Sequence, residues 1–324
     1  MIVLSQQDVA DLLPMAQAID VIEGVMRAVS AGEAQLPLRF VVPVGGPNLM
    51  GVMSGALAAP LVHGVKLVSL YPGNPARGLS SHRGAVVLFE GETGGAVAMM
   101  DAGLLTAIRT AAASAVATRA LARPEASVLA LVGYGEQAAH HLTAMRAVRP
   151  IGRVIVTGRD AGRASEFARA QRGLHPGLTI EATGDIAAAV QAADIVCTVT
   201  AAASPVVRGD WLKPGQHLNI VGASVATKRE VDDAAVDRAA IWVDYRPSAL
   251  AQAGEIVAAV AAGRLDPAAL PEIGERLAGK APGRRDAAQI TAYRSLGIVA
   301  QDLAAAAHVL ARARAEGRGQ AVAL

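Results

Sequence analysis

Residues 127–138 read SVLALVGYGEQA, and this stretch decides the fold class. An apolar run leads directly into Gly133, Tyr134 and Gly135, and a helical pattern begins immediately behind them. A strand that enters a glycine turn and then a helix is typical of a nucleotide-binding βαβ unit. Gly133 permits the tight turn, Gly135 lets the backbone approach a phosphate, and the small Ala138 lets the helix pack close to the strand.

The chain downstream of this turn alternates between apolar runs and amphipathic helical segments. Near-continuous apolar strands separated by helices predict a parallel sheet that is covered on both faces. We therefore predict an α/β fold with a Rossmann-type, doubly wound parallel sheet. The strands expected after the first are RVIVTG, LTIEA, DIVCTVT, HLNIVG and AIWVD, which begin at residues 153, 178, 194, 217 and 240.

The chain upstream of the turn follows a different pattern. Ser5 is expected to cap a first helix, and a second helical segment ends near Gly32. Short runs rich in Val and Leu, punctuated by Gly, Pro and Asn, then predict a mostly antiparallel sheet. These runs cover residues 39–44, 49–53, 62–71, 84–90 and 96–101.

Two further helices set the expected domain organisation. An alanine-rich helix is predicted from residue 103 to about residue 122. A last helix, over residues 296–315, has no strand partner and is expected to return to the N-terminal part of the chain. We thus predict an α+β domain formed by residues 1–115 with 297–324, and a dinucleotide-binding domain formed by residues 116–296.

Composition and net charge indicate which classes of binding partner to expect. The 324 residues are 52% hydrophobic and 18% charged, which is enough for buried cores. The formal net charge of +2 predicts neither a nucleic-acid partner nor an anionic membrane surface. Cys197 is the single cysteine and lies in an apolar run, and the N-terminal stretch MIVLSQQD does not resemble a signal peptide. We expect a cytoplasmic protein without disulfides or membrane spans.

The end of the second strand of the nucleotide-binding domain indicates which dinucleotide is bound. An acidic residue there accepts hydrogen bonds from the ribose hydroxyls of NAD, whereas an arginine accommodates the 2′-phosphate of NADP. This chain has Thr157 and Gly158 where the acid would stand, followed by Arg159, so we expect NADP(H) in preference to NAD(H). Asp160 is better explained as the N-cap of the next helix. The residues expected to bind the cofactor are Gly133, Gly135, Glu136, Gln137, Ala138, Arg159 and Thr200, and no metal site is predicted.

Several ordered motifs resemble the ornithine cyclodeaminase/mu-crystallin family over nearly the whole chain. Besides the glycine turn they are GVKLVSLYPGN at 64–74, HRGAVVLFEGETG at 82–94, DAGLLTAIRTAAASAVAT at 101–118, VGASVATKREVD at 221–232 and QITAYRSLG at 289–297. The resemblance implies that the Rossmann domain is joined to a domain that binds the substrate and forms a homodimer. It also implies hydride transfer at the α-carbon of a small amino acid or cyclic imino acid.

The resemblance places a carboxylate-binding site on Lys66, Arg109 and Arg39. A carboxylate held away from water needs charged donors, and Lys66 and Arg109 lie in apolar segments where a solvated charge is unusual. The alternative is an internal ion pair with Asp or Glu, and cations tied up in that way would leave only a nucleotide-binding fold. His82 is a further candidate for contacting the substrate or the nicotinamide, with a structural histidine as its alternative.

Two departures from the cyclodeaminase pattern favour a reductase. True ornithine cyclodeaminases resemble this chain at VGASV but carry Asp where Ser224 stands, and they carry a Glu in the region that here reads NLMGVMSG. Reduction of a ready-made cyclic imine needs no such base, only orientation of its carboxylate and a proton near its nitrogen. We therefore expect reduction of Δ1-pyrroline-2-carboxylate or Δ1-piperideine-2-carboxylate to L-proline or L-pipecolate, with Lys66 and Ser224 as the catalytic residues.

Three alternatives stay open at this point. An alanine dehydrogenase-like enzyme would form its imine from a keto acid and ammonia, and a cyclodeaminase would convert ornithine to proline. A protein of a different class would bind NADP(H) without catalysis, as the crystallin branch of the family suggests. Lys66 and Arg109 count against this last alternative, because a pure binding role needs no carboxylate-binding cations beside the cofactor.

Overall fold

The computed structural model describes residues 1–323, and the chain divides into two compact units. Unit 1 comprises Met1–Ala112 and Gly297–Leu324, and unit 2 comprises Ala113–Leu296. The first boundary falls inside a helix, close to the position 115 that the sequence analysis proposes. The second boundary falls where that analysis places it.

The N-terminal part of unit 1 supplies most of its sheet. Ser5 is the N-cap of α1, as the sequence predicts: its hydroxyl oxygen accepts a hydrogen bond from the Asp8 amide. The Asp8 carboxylate in turn accepts a hydrogen bond from the Ser5 amide. The elements in chain order are β1 (Ile2–Leu4), α1 (Gln6–Leu12), α2 (Met15–Ser30), β2 (Ala34–Gln35), β3 (Phe40–Gly45), β4 (Asn48–Leu57), β5 (Val62–Leu70), β6 (His82–Glu90), β7 (Ala96–Asp101) and α3 (Ala102–Leu121).

Unit 2 begins within α3 and continues as alternating strands and helices. Its elements are β8 (Val128–Val132), α4 (Glu136–Val148), β9 (Arg153–Thr157), α5 (Ala161–Leu174), β10 (Thr179–Thr183), α6 (Ile186–Ala192), β11 (Ile195–Thr198), β12 (His217–Ile220), α7 (Asp233–Arg238), β13 (Ala239–Val243), α8 (Arg246–Gln252), α9 (Gly254–Ala261), α10 (Ile273–Leu277) and β14 (Ile290–Arg294). The chain then returns to unit 1 with α11 (Val299–Glu316) and β15 (Gln320–Ala321).

The sheet of unit 1 is mostly antiparallel, as the sequence predicts. Its strand order is β15-β1-β7-β6-β5-β4-β2, and β3 also pairs with β4. Among the described pairs of this sheet, β1 with β7 runs parallel and the others run antiparallel. The strands β1, β2 and β15 are not predicted from the sequence, because two or three residues are too few to show a periodicity.

Helix α11 lies against β4 and β5 at two paired glycines. Gly55 and Gly64 are directly opposite each other in the antiparallel register. A β-carbon on Gly55 would lie 2.6 Å from Val299 Cγ1, and one on Gly64 would lie 2.8 Å from Leu303 Cδ2. Only the absence of side chains at both positions allows the helix to approach so closely. The expectation that the last helix returns to the N-terminal part of the chain is therefore confirmed.

The sheet of unit 2 is parallel throughout, with the order β10-β9-β8-β11-β12-β14-β13. The chain moves outward from β8 to β10 in one direction and then resumes beside β8 with β11. This reversal next to the glycine turn is the topological switch of a Rossmann-type fold, as predicted. The sequence pattern does not predict β14, whose five residues are all buried although they include Arg294.

The structure bears on two expectations, one about membrane-spanning helices and one about Cys197. No helix within residues 1–323 is long and apolar enough to cross a membrane. Cys197 is buried, and burial raises the pKa of its thiol to about 12. The thiol therefore stays protonated near neutral pH and is a poor nucleophile, as the sequence analysis expects.

Candidate functional site

Lys66 is buried on the face of β5 that packs against α11. It stands two residues after Gly64, so both point to the same face of the strand. Only 2% of its surface is exposed. Its ammonium donates to Asp302 Oδ1 at 2.9 Å and to Thr106 Oγ1 at 3.3 Å. The expectation that this lysine is not a solvated surface charge is confirmed.

Arg109 reaches the same place from α3. Its Nε donates to Asp302 Oδ1 at 2.9 Å, and its Nη1 donates to Gln301 Oε1 at 2.8 Å. The guanidinium passes so close to Gly297 that a β-carbon there would lie 2.4 Å from Nη1. Gly297 also has a φ of +74°, which favours glycine. The turn before α11 is thus shaped around the guanidinium.

Lys66, Arg109 and Asp302 form a buried ionic cluster in unit 1. One oxygen of Asp302 accepts from both cations, while its Oδ2 is buried and accepts no hydrogen bond from residues 1–323. Two cations and one carboxylate leave a net charge of +1. The ion pairing with an acidic residue, given above as the alternative for Lys66 and Arg109, is therefore present. One carboxylate does not balance two cations, so the cluster keeps a positive charge.

The environment of Lys66 lowers the pKa of its ammonium from 10.5 to about 8. Burial is the largest cause, and the charge of Arg109 acts in the same direction. The charge and hydrogen bond of Asp302 oppose both. Lys66 is therefore largely protonated at neutral pH but loses its charge in the mildly alkaline range.

The other two residues predicted for the substrate site lie in unit 1 with less burial. Arg39 is half-buried just before β3, and its charge contributes to lowering the pKa of Lys66. His82 is exposed at the start of β6, and its Nδ1 lies 2.9 Å from Ser81 Oγ. Roles for both residues in substrate binding stay predictions.

The glycine turn of unit 2 has the geometry of a phosphate cradle. Gly133 has a φ of +116°, and a β-carbon there would lie 2.7 Å from the Val199 carbonyl oxygen. Gly135 precedes α4 as its N-cap without a side-chain cap, and a β-carbon there would meet no described atom within 4 Å. Ala138 is fully buried. Residues Gly135 to Gln137 thus fit the pyrophosphate of a dinucleotide, with the start of α4 offering backbone N–H groups.

The end of β9 carries no free acidic side chain next to this turn. The Asp160 carboxylate caps α5 by accepting from the Arg163 amide at 3.0 Å, as the sequence predicts. Arg159 is exposed. The ring of Tyr134 lies over Gly158, where a β-carbon would come within 2.6 Å of it. The guanidinium of Arg163 is 5.1 Å from the centre of the same ring.

A buried carboxylate fixes the loops that follow β11 and β12. Glu230 Oε1 accepts from the amide and the hydroxyl of Thr200, at 2.7 and 2.6 Å. Its Oε2 accepts from Thr198 Oγ1 at 2.8 Å and from the Gly222 amide at 2.6 Å. The half-buried Ser224 follows two residues later. Both Thr200 and Ser224 therefore stand on loops at the carboxyl ends of neighbouring strands.

A second buried ion pair holds the loop that carries Ser224. Arg294 on β14 donates to Glu255 Oε2 at 2.8 Å and to the Ala223 carbonyl. Glu255 Oε1 accepts from the Glu230 amide at 2.7 Å. Arg294 and Glu255 are both almost completely buried. Sequence patterns do not single out Arg294, Glu255 or Asp302 as site residues. Each is an isolated charge in a mostly apolar segment, but the sequence does not show which charges pair.

These features define a class: a protein with a Rossmann-type dinucleotide-binding unit and a second unit that buries a net cationic cluster. The family model for the ornithine cyclodeaminase/mu-crystallin family matches residues 1–317. The chain belongs to this family.

Known relatives agree with this assignment over most of the chain. The ketimine reductase mu-crystallin of Rattus norvegicus is 34% identical over 276 residues, covering 85% of this chain and 84% of that protein. The solved Δ1-pyrroline-2-carboxylate reductase of Thermococcus litoralis, in complex with NADH and L-proline, has a TM-score of 0.95 and 31% identity, covering 99% of this chain and all of that one. An archaeal alanine dehydrogenase dimer with bound NAD has a TM-score of 0.91 and 31% identity, covering 100% and 99% of the two chains.

Proposed function

We propose that the protein is an NAD(P)H-dependent reductase of cyclic imino acids, which converts Δ1-pyrroline-2-carboxylate or Δ1-piperideine-2-carboxylate to L-proline or L-pipecolate. The observation that carries the proposal is the net positive charge of the Lys66, Arg109 and Asp302 cluster. Support comes from the glycine turn of unit 2 and from the family's reductases. A bound nicotinamide dinucleotide would supply the hydride.

The cationic cluster is suited to a small carboxylate. Lys66 carries three N–H groups and Arg109 five, and the hydrogen bonds to Asp302, Thr106 and Gln301 use only some of them. Charge-assisted bonds are strong where water is excluded. We infer that the substrate's carboxylate binds Lys66 and Arg109, with Arg39 and His82 as further contacts.

Reduction of the C=N bond consumes one hydride at carbon and one proton at nitrogen. We assign the proton relay to Ser224 or to a water that it positions. Glu230 and Arg294 support this role, because they fix the backbone on either side of Ala223. Lys66 contributes orientation and electrostatic stabilisation of the bound anion.

For the cofactor we propose a preference for NADP(H) over NAD(H). Gly158 offers no acid to the ribose, and the carboxylate of Asp160 is engaged at the start of α5. Arg159 is available at the surface for a 2′-phosphate, and Arg163 stands one turn further on. The solved relatives named above contain NADH or NAD, so direct comparison of the two cofactors is the test.

A spectrophotometric assay tests the function. Loss of NADPH absorbance with a five- or six-membered cyclic imino acid supports the proposal. Turnover that requires ammonia and a keto acid would instead assign an amino-acid dehydrogenase, which the fold similarity to alanine dehydrogenase favours as second candidate. Proline formed from ornithine without net cofactor turnover would indicate a cyclodeaminase. Cofactor binding without any turnover would indicate a binding protein.

We also propose a cytoplasmic homodimer. The support for a dimer is β3, an edge strand whose six residues are all exposed although most are apolar. Phe40 is 58% exposed and Val44 is 50% exposed. An exposed apolar edge strand is an unfavourable surface for a monomer. The support for a reducing compartment is the single cysteine.

A further inference from the structure

Asp302 is the one acidic group that contacts both cations of the ionic cluster within residues 1–323. It lies in the first turn of α11 and is completely buried. Lys66 comes from β5 and Arg109 from α3, so the three charges are brought together from three separate elements. The same oxygen, Oδ1, receives both bonds at 2.9 Å.

A purely structural ion pair would be expected to balance its charges. Burying one carboxylate with two cations is costly, since the second cation has no partner charge of its own. The cluster also contains an unsatisfied oxygen, Asp302 Oδ2, which no described donor reaches. An arrangement with one surplus cation and spare donors is better suited to receiving a second anion than to holding the fold together.

We propose that Asp302 is a positioning residue, which holds Lys66 Nζ and Arg109 Nε side by side on one oxygen so that they present a single net positive charge to the substrate's carboxylate. This inference rests on the proposed carboxylate site of the reductase. Asp302 itself is not expected to touch the reacting atoms.

The geometry predicts a second effect of Asp302 on Lys66. Four neighbours face the ammonium: Asp302 from α11, Arg109 and the neutral Thr106 from α3, and Arg39 from the segment before β3. The strand neighbours across from Lys66 are the apolar Met53 and Val86. Asp302 is therefore the group that counteracts burial and the two arginines, and its loss would favour neutral Lys66 at a lower pH.

The test compares Asp302→Asn and Asp302→Glu with the wild type in steady-state reduction of a cyclic imino acid. For Asp302→Asn we expect KM to rise by about tenfold or more, with a smaller change in kcat and with NADPH affinity kept within about twofold. The basic limb of kcat/KM, expected near pH 8 in the wild type, should move to lower pH, so that acidification partly restores activity. Asp302→Glu keeps the negative charge but shifts its position, so KM should rise while the basic limb stays in place.

The control is Asp8→Asn, which removes the negative charge from the ion pair between Asp8 and Arg318 within unit 1. It should lower Tm slightly without changing KM or the pH profile. A lower Tm with wild-type KM and pH profile in either Asp302 variant would overturn the inference, because it would reveal a structural role alone. If Asp302→Asn does not fold, Asp302→Glu decides by the same KM and pH measurements.

The proposed function can fail separately from this inference. If the wild type reduces no imino acid, calorimetric titration of L-proline into the NADP-loaded protein replaces the kinetic assay. Weaker proline binding in Asp302→Asn or Asp302→Glu would then support the positioning role. Equal binding in the variants and the wild type, or no proline binding to the wild type, would overturn it.

Discussion

The hydroxyl of Tyr134 accepts a hydrogen bond from the amide of Asp160 at 3.1 Å. This bond joins the middle of the glycine turn to the N-cap of α5, and it holds the phenol ring over Gly158. An acid at position 158 would have to displace the ring. Position 158 is therefore closed to the acid that NAD-binding Rossmann folds carry at this strand end.

The first prediction concerns Arg159 and the 2′-phosphate. Arg159→Ala should raise the KM for NADPH by roughly tenfold, because a charge-assisted bond to phosphate is lost, and should change the KM for NADH by less than about twofold. Arg169→Ala, which removes an exposed arginine further along α5, is the matched control and should change neither. Equal losses for both cofactors in Arg159→Ala would contradict the phosphate assignment.

The second prediction separates the two glycines of the turn. Gly133→Ala would place a β-carbon against the Val199 carbonyl at a φ of +116°, so it should lower Tm and cofactor affinity together. Gly135 has a φ of −87° and open space at its β-carbon, so Gly135→Ala should leave Tm within a degree or two. Its NADPH Kd should nevertheless rise severalfold if the pyrophosphate lies there. Differential scanning fluorimetry and cofactor fluorescence measure the two effects, and unchanged affinity in Gly135→Ala would exclude this location.

The third prediction concerns the oligomeric state. Val42→Lys should convert the proposed dimer to monomers, because a charge on β3 opposes burial of this strand between two copies. Leu174→Lys, at the end of α5 and 70% exposed, is a matched change outside β3 and should have no effect. Sedimentation velocity distinguishes the species. A wild type that sediments as a monomer would rule out the dimer.

Sequence patterns could predict the elements but not the pairing of charges within them. Periodicity locates β5 and α3, and the resemblance selects Lys66 and Arg109. Nothing local indicates that α11 returns over the paired glycines Gly55 and Gly64, because that contact joins segments far apart in the chain. The partner of both cations, Asp302, therefore becomes visible only once the fold brings these segments together.

The strand β14 escaped prediction for a related reason. Its sequence ITAYR ends in Arg294, and a charged residue in a central strand normally argues against burial. The arginine is tolerated because Glu255 and three backbone carbonyls satisfy it in the folded chain. Most of this compensation comes from distant residues and leaves no periodic signal in the strand itself.

The fourth prediction concerns Glu230. Its carboxylate accepts four hydrogen bonds from Thr198, Thr200 and Gly222, so Glu230→Gln would turn an amide N–H₂ group toward donors. Replacing an acceptor by a donor at a buried site costs about 1–3 kcal/mol or more, so Tm should fall by several degrees and cofactor affinity should weaken. Glu125→Gln, at an exposed ion pair of the same unit, should change neither. Wild-type Tm in Glu230→Gln would show that the loops do not depend on this carboxylate.

The last prediction is that Lys66→Met abolishes turnover and raises Tm. The variant should lose turnover because the substrate's carboxylate loses a cation, while NADPH affinity should stay within a few-fold because the glycine turn belongs to unit 2. Its Tm should rise by a few degrees at pH 7, since Arg109 and Asp302 then form a balanced pair and no surplus cation is buried.

The stability difference between Lys66→Met and the wild type should depend on pH. The pKa of Lys66 falls from 10.5 to about 8 on folding, so between pH 8 and pH 10.5 the lysine is protonated in the unfolded chain and neutral in the folded one. The cost of burying charged Lys66 is therefore full below pH 8 and is relieved as pH rises toward 10.5, and the Tm advantage of the variant should shrink over the same range. Lys213→Met in unit 2 is the control; an advantage that grew with pH would contradict the assignment of a charged, buried Lys66.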